Sequence, residues 1–177
     1  MKLKKPQIAG FIVTVVIGTA LHFAYEWAGE NLIVGVFSAV NESVWEHLKL
    51  LFVPMLVFGI VEYFLFGRKL ENFIPIRFLS ILLGMAIIVV GFYTCTVIIG
   101  RDFLIADILL FIIAGYAAYR FSYKMLRTEE FSSSFSKGLA IMGLLFLMAC
   151  FAAFTFAPPH IQLFLDPTSG AYGIAPK

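Results

Sequence analysis

The chain has 177 residues, 61% of them hydrophobic and only 14% charged, and its mean hydropathy is +0.95. A water-soluble domain carries about 25% charged residues, so the composition excludes one and indicates a membrane protein. The formal charge of +2, with Lys and Arg spread over separate loops and no Gly-rich phosphate loop, gives no nucleic-acid-binding patch. No shift in composition marks a second domain, so residues 1–177 read as a single transmembrane helical domain.

Five apolar runs approach or exceed the roughly 20 residues a helix needs to cross a bilayer. The first, 8–27, follows Lys2, Lys4 and Lys5. A basic start before an apolar run also suits a secretory signal. The best cleavage position, however, puts His22 where a small residue is needed, so an uncleaved span is expected. His22 and Glu26 sit at i and i+4 on its last turns and project from one face. Ionisable groups at that depth are costly unless they are paired or line a polar cavity. Such a pair suits a metal ligand with its carboxylate, a general base with its orienting partner, a proton relay, or a simple hydrogen-bonded contact. Segment 31–40 is apolar but too short to span, and reads as re-entrant or interfacial.

The second run, 44–66, opens with the densest motif of the chain, Asn41-Glu42-Ser43-Val44-Trp45-Glu46-His47-Leu48-Lys49. Ser43-x-x-Glu46 before an apolar run is a capping box, in which Ser43 accepts from a backbone N–H and Glu46 reaches back. Acidic residues also favour the positive end of the helix dipole, and Trp45 fits an interfacial aromatic belt. Capping accounts for Ser43 and one glutamate, but not for His47 and Lys49 one to two turns farther in. Glu42, Glu46 and Lys49 share a helical face, with Ser43 and His47 on the adjacent one. Pro54 removes the helical donor for the Leu50 carbonyl, which predicts a kink or water entry beneath the motif.

The third run, 74–99, carries Tyr93, Cys95 and Thr96 near its end. The fourth, 103–123, begins beside Arg101 and Asp102 and holds Asp107 about one and a half turns in. A carboxylate at that depth is expected to face the bundle interior, and to be protonated unless it meets a cation, for which Lys49 and Arg101 are the candidates. The fifth, 137–157, holds Cys150; both cysteines lie within apolar runs and read as buried thiols. In the tail, 158–177, Pro158 and Pro159 stop the helix and Asp166-Pro167-x-x-Gly170 signals a turn. Ile161, Leu163, Phe164 and Leu165 are too apolar for a free aqueous tail. It is expected either to fold back as a lid that brings His160 and Asp166 above His22 and His47, or to anchor at the interface.

Charge sets the expected orientation. Ten of the thirteen Lys and Arg (Lys2, Lys4, Lys5, Arg68, Lys69, Arg77, Arg120, Lys124, Arg127, Lys137) fall at one end of the runs. All three histidines and seven of the eleven carboxylates fall at the other. The expected fold is an all-α bundle of about five transmembrane helices, N-terminus inside and C-terminus outside. The polar cluster then faces the extracytoplasmic side.

His22-x-x-Tyr25-Glu26, Asn41-Glu42-Ser43-x-Trp45-Glu46-His47-x-Lys49 and Asp166-Pro167-x-x-Gly170-x-Tyr172-Gly173 together resemble a family of small bacterial integral membrane proteins of unassigned function. The resemblance covers nearly the whole chain and implies a multi-pass protein of the bacterial cytoplasmic membrane, without a mechanism. In its parts alone the cluster is also similar to alkaline-ceramidase-like hydrolases, which gather His, Asp and Ser around zinc at one end of a helical bundle. This chain has fewer spans than that group, a different residue order, and no paired histidines on one helix.

The leading functional expectation is a metal-dependent membrane hydrolase or acyl-transfer enzyme acting on a lipid or lipid-linked substrate. Zn²⁺ would be held by His22, His47 and His160, with Asp107 as a fourth ligand. Glu26, Glu42 or Glu46 would act as general base or support, with Asn41, Lys49, Asp102 and Asp166 completing the polar set. A metal-free alternative has a His–Glu pair activating Ser43 or water. A transporter or binding protein with an outward polar cavity is the main alternative outside enzymes, although the opposite half reads as bare of buried polar groups apart from Glu62. Five spans exclude an inverted repeat within one chain, though an oligomer would restore symmetry. A purely structural role leaves the polar cluster unexplained.

Overall fold

The computed structural model describes residues 3–99 and 104–174. Lys2, Arg101, Asp102 and Lys177 lie outside the described residues. Each apolar run forms one long helix: α1 spans Lys4–Trp27, α3 Val44–Leu65, α4 Phe73–Ile99, α5 Leu104–Met125 and α6 Ser134–Phe156. At 1.5 Å per residue these helices are about 33–40 Å long, enough to cross a hydrocarbon core of about 30 Å. Segment 31–40 yields one short helix, α2 (Leu32–Phe37), which packs on α1 and α6. Among the described residues there is no strand, only an isolated bridge between Leu165 and Tyr172. The protein is therefore an all-α, multi-pass membrane protein.

The helix ends follow local capping chemistry. Asn31 caps α2, its Oδ1 accepting from Ile33 N (2.9 Å) and Val34 N (3.3 Å). Ser133 caps α6 by accepting from Ser136 N at 3.1 Å, so that helix begins three residues before the predicted 137. α1 likewise begins four residues before the predicted 8, at Lys4. Long lysine stems are compatible with the apolar belt while their ammonium groups reach water.

α3 and α4 form the centre, each with half of its most apolar stretch buried. α1 packs on α3 and α5, α4 on α3, α5 and α6. The peripheral helices turn large apolar residues outward, among them Ile12, Val16, Met142 and Phe146. In water such surfaces would aggregate; in a bilayer they meet lipid. One crossing depends on glycine. A Cβ at Gly18 would lie 2.4 Å from the Leu50 carbonyl oxygen and 2.6 Å from Phe111 Cζ. That carbonyl is the one freed by Pro54, and it is covered here by the backbone of α1.

The end of the bundle nearest Lys4 is richer than its sequence suggests. Arg77, counted above with the loop charges, is 4% exposed and pairs with Glu62, itself 1% exposed. Gln7 Nε2 donates to Glu62 Oε1 at 3.1 Å. The guanidinium lies over the rings of Phe73 and Tyr119, 5.4 and 5.2 Å from their centroids. The Tyr119 and Thr14 hydroxyls are hydrogen-bonded at 3.0 Å. A carboxylate so deeply buried needs a cation and further hydrogen bonds to offset its lost hydration, and Arg77 of α4 and Gln7 of α1 supply them. The expectation that this half is bare apart from Glu62 is thus corrected. Removing Arg77 from the loop charges leaves the sign of the charge asymmetry unchanged.

Candidate functional site

α1 ends and α3 begins at the same end of the bundle, and their pairing sets His22 beside His47, ring centroids 5.2 Å apart. Glu42, in the turn just before α3, reaches both. Its Oε1 lies 3.8 Å from His22 Nε2 and its Oε2 lies 3.5 Å from His47 Nε2. Among the described residues these three form a cluster with metal-ligand spacing, all three donor atoms lying within 4.8 Å of one another. A tetrahedral zinc with bonds of about 2.0–2.1 Å holds its ligand atoms about 3.3 Å apart. Closing the trio onto an ion therefore takes at most about 1.5 Å of movement between any two of the donor atoms.

The hydrogen bonding of His47 defines what faces Glu42. Its Nδ1 lies 2.9 Å from the Ser43 carbonyl. A carbonyl only accepts, so Nδ1 carries the proton, and in the neutral ring Nε2 presents a lone pair. That nitrogen lies 3.5 Å from a carboxylate oxygen. With the ring neutral, two acceptors meet there, an arrangement that favours a shared cation: a proton or a metal ion. The Nδ1–H to carbonyl contact is also the usual outer support of a metal-bound histidine. His22 lacks the equivalent support, its Nδ1 being buried without a hydrogen-bond partner among the described residues.

The trio forms part of the wall of a cavity of about 590 Å³ between α1, α3, α4 and α5. Asp107 brings a further carboxylate from α5, and Thr19 a hydroxyl from α1. Below this polar level the lining is apolar, with Leu50, Ile88, Leu110 and Phe111. Pro167 and Thr168 of the tail also line it, which makes the tail part of its roof.

The roof is held by turn chemistry. Asp166 Oδ1 accepts from Thr168 N (2.8 Å), Thr168 Oγ1 (2.7 Å) and Ser169 N (3.4 Å), and Oδ2 accepts from Ser169 Oγ (2.7 Å). Partial burial pushes the Asp166 carboxyl up, but the bonds from Ser169 and Thr168 outweigh it and hold the group below its ordinary value. Asn41 ties the tail to α3: its Nδ2 donates to the Gly173 carbonyl at 2.9 Å while its Oδ1 accepts from Ser43 N at 2.9 Å. Phe164 packs against Trp45 and Phe154, with centroids 4.8 and 5.3 Å away.

Other members of the sequence-defined set lie outside the cavity lining. Glu46 and Lys49 are buried, 2% and 0% exposed, and form a 2.6 Å ion pair. Lys49 Nζ also donates to the Gly35 carbonyl (3.0 Å), the Ser38 carbonyl (3.3 Å) and Thr155 Oγ1 (2.6 Å). Glu46 Oε2 accepts from Val40 N at 3.1 Å. The pair thereby latches α2 and its following turn to α3 and α6. Ser43 is the N-cap of α3, accepting from Glu46 N at 3.3 Å, and is itself 1% exposed. Glu46 reaches back past the cap to Val40, while Asn41 takes the Ser43 N–H. Glu26 is exposed and outside the lining. His160 is exposed and stacks on Tyr172, centroids 4.5 Å apart. The lid expected above the histidines is thus built from Pro167 and Thr168 rather than from His160. Asp102 is outside the described residues.

Sequence reasoning missed Thr155, Gln7 and Arg77 as buried polar partners. The buried charges Lys49 and Glu62 signalled that partners had to exist, without naming them. No curated protein and no solved structure matches the chain. The model of the family of unknown function DUF6512 matches residues 1–174, and the chain belongs to that family.

Proposed function

We propose that the protein is a membrane metalloenzyme, a hydrolase or acyl-transfer enzyme for a lipid-like substrate, with His22, His47 and Glu42 holding a zinc-type divalent ion. The observation that carries this reading is the set of donor atoms converging at the rim of a largely apolar cavity, with His47 Nε2 3.5 Å from the Glu42 carboxylate. Two imidazoles and a carboxylate form a known catalytic zinc set that leaves one position for water or substrate. Bound there, the ion would lower the pKa of its water to about 7 and polarise a carbonyl oxygen. The Ser43 carbonyl fixes the tautomer and orientation of His47. Asp107, which lines the same cavity from α5, would exchange a proton with a group at the rim. His160 and Glu46, first considered as ligand and base, have no part in this arrangement.

The surplus of Lys and Arg at the other end supports placing this site on the extracytoplasmic side of a bacterial cytoplasmic membrane. The test is the metal content of detergent-purified protein by mass spectrometry, for the wild type and for His22→Ala, His47→Ala, Glu42→Gln and His160→Ala. About one zinc per chain, lost in the first three variants and kept in the fourth, is expected. No metal under zinc-supplemented, chelator-free conditions overturns the reading.

A second reading, proton-linked transport or binding of a small molecule, draws on the Gln7–Glu62–Arg77 network and the Thr14–Tyr119 pair in the opposite half. It requires Glu62→Gln to abolish a flux into proteoliposomes; the enzyme reading predicts no such flux.

A further inference from the structure

The cavity differs along its depth and around its side. Its rim is polar, from His22, Glu42, His47 and Asp107, and its lower lining is Leu50, Ile88, Leu110 and Phe111. Val44 and Leu50 both line it and are six residues apart on α3, so the cavity descends about 9 Å into the bundle. Leu50 and Ile88 are only 6% and 7% exposed; what surface they keep is turned to the cavity. The roof is partly covered by Pro167 and Thr168. The side is different. Phe23 of α1 and Leu104 and Ile108 of α5 line the cavity yet remain 41%, 71% and 51% exposed. Phe23 lies on the face of α1 that continues into Val16, itself exposed.

We infer that the cavity takes one hydrocarbon chain of a bilayer phospholipid sideways, past Phe23 of α1 and Leu104 and Ile108 of α5, with the lipid head at the His22–Glu42–His47 rim. The inference rests on the lipid-like substrate of the preceding reading and adds its route and orientation. A water-soluble substrate would set polar groups against Leu50, Ile88 and Phe111, where no hydrogen-bond partner offsets their lost hydration. A lipid chain meets no such penalty, because bilayer tails and leucine side chains are about equally apolar. The same equality means the chain gains little by leaving the bilayer. Selection therefore rests on the head at the rim and on how much chain fits. A single leaflet is about 15 Å of hydrocarbon, so a 9 Å cavity encloses the part of the chain nearest the head. The floor closes where α1, α3 and α5 meet: a Cβ at Gly18 would strike both Leu50 and Phe111.

Photolabelling in nanodiscs tests this with a phosphatidylglycerol carrying a mid-chain diazirine, followed by peptide mapping. Bulk lipid cannot reach Leu50 or Ile88 without entering the cavity, whereas Leu145 and Phe146 of α6 face the bilayer and report ordinary contact. Labelling at Leu50 or Ile88 is expected, reduced at least tenfold by Ile88→Trp, with α6 labelling unchanged. Phe23→Trp, at an exposed position that tolerates bulk, narrows the mouth independently and is expected to give the same loss if Ile88→Trp fails to fold. The zinc content of the same wild-type preparation is read in parallel: cavity labelling without zinc refutes the metal site and leaves chain entry standing, and zinc without cavity labelling refutes chain entry alone. Labelling confined to lipid-facing residues, or cavity labelling that Phe23→Trp leaves intact, overturns the inference.

Discussion

Replacing Lys49 with methionine removes the ammonium that joins three parts of the chain while keeping most of the side-chain volume. The variant leaves the Glu46 carboxyl 2% exposed and without its cation, with Val40 N the one donor to it among the described residues. It also takes the donor from the Gly35 and Ser38 carbonyls and from Thr155 Oγ1. Breaking a buried ion pair by removing one partner costs about 3–5 kcal/mol. For a chain of this size each kcal/mol lowers Tm by about 2–4 °C, so a fall of roughly 6–20 °C is expected. Intrinsic fluorescence during heating is the assay, because Trp45 is packed between Phe151, Phe154 and Phe164 and reports on the same region. Adding Glu46→Gln removes the stranded carboxyl and supplies an amide donor, so the double variant should melt above Lys49→Met alone. Lys49 does not line the cavity, so below its melting temperature the single variant should bind zinc like the wild type. A single-variant Tm within 2 °C of wild type, or a double variant no better than the single, would refute the latch.

Ser43→Ala removes the cap of α3 and is expected to cost about 1 kcal/mol. The carbonyl that orients His47 belongs to the backbone, so zinc content should be unchanged; a lost ester- or amide-cleaving activity in folded Ser43→Ala would instead revive Ser43 as a nucleophile. Gly18→Ala places a methyl against the Leu50 carbonyl and Phe111, and overpacking of this kind costs about 1–3 kcal/mol; a Tm equal to wild type would contradict the close crossing. The Asp166 carboxyl is held below its ordinary value in the folded chain. Its stabilising effect is therefore present above the unfolded value of about 3.9 and is lost as pH falls through the lower folded value. Asp166→Asn should melt below wild type at neutral pH, the two curves converging on acidification below about pH 4; a constant gap across that range would exclude the charge as the cause.

The apolar runs revealed the five long helices because a bilayer demands that pattern over some twenty residues whatever the helix packs against. Ser43 as a cap and Asp166-Pro167 as a turn were legible for a similar reason: both act on backbone groups within four residues. His22 and His47 could be expected to meet because both lie at the same end of spans whose direction is fixed by topology. The roles of Glu46 and Lys49 were not legible. At i and i+3 they are neighbours whether they face a cavity or the packed interior, and only the placement of α2 and Thr155 decides between them. Arg77 misled in the same way, since an arginine three to four residues inside a span reads as interfacial until its partner on another helix is known. His160 was expected at the histidines because the tail folds back, and the tail does, but stacking on Tyr172 takes the ring elsewhere.

The Asn41–Gly173 bond closes a loop of 132 residues, and the Trp45–Phe164 contact one of nearly the same size. During synthesis the two histidines and Glu42 can come together once the first two long helices have paired, with most of the chain still to be made. The roof arrives from the far side of the last span. Between those moments the histidine–glutamate trio is assembled and uncovered, so the order of the chain gives any ion bound there an interval of open access before the tail settles over it.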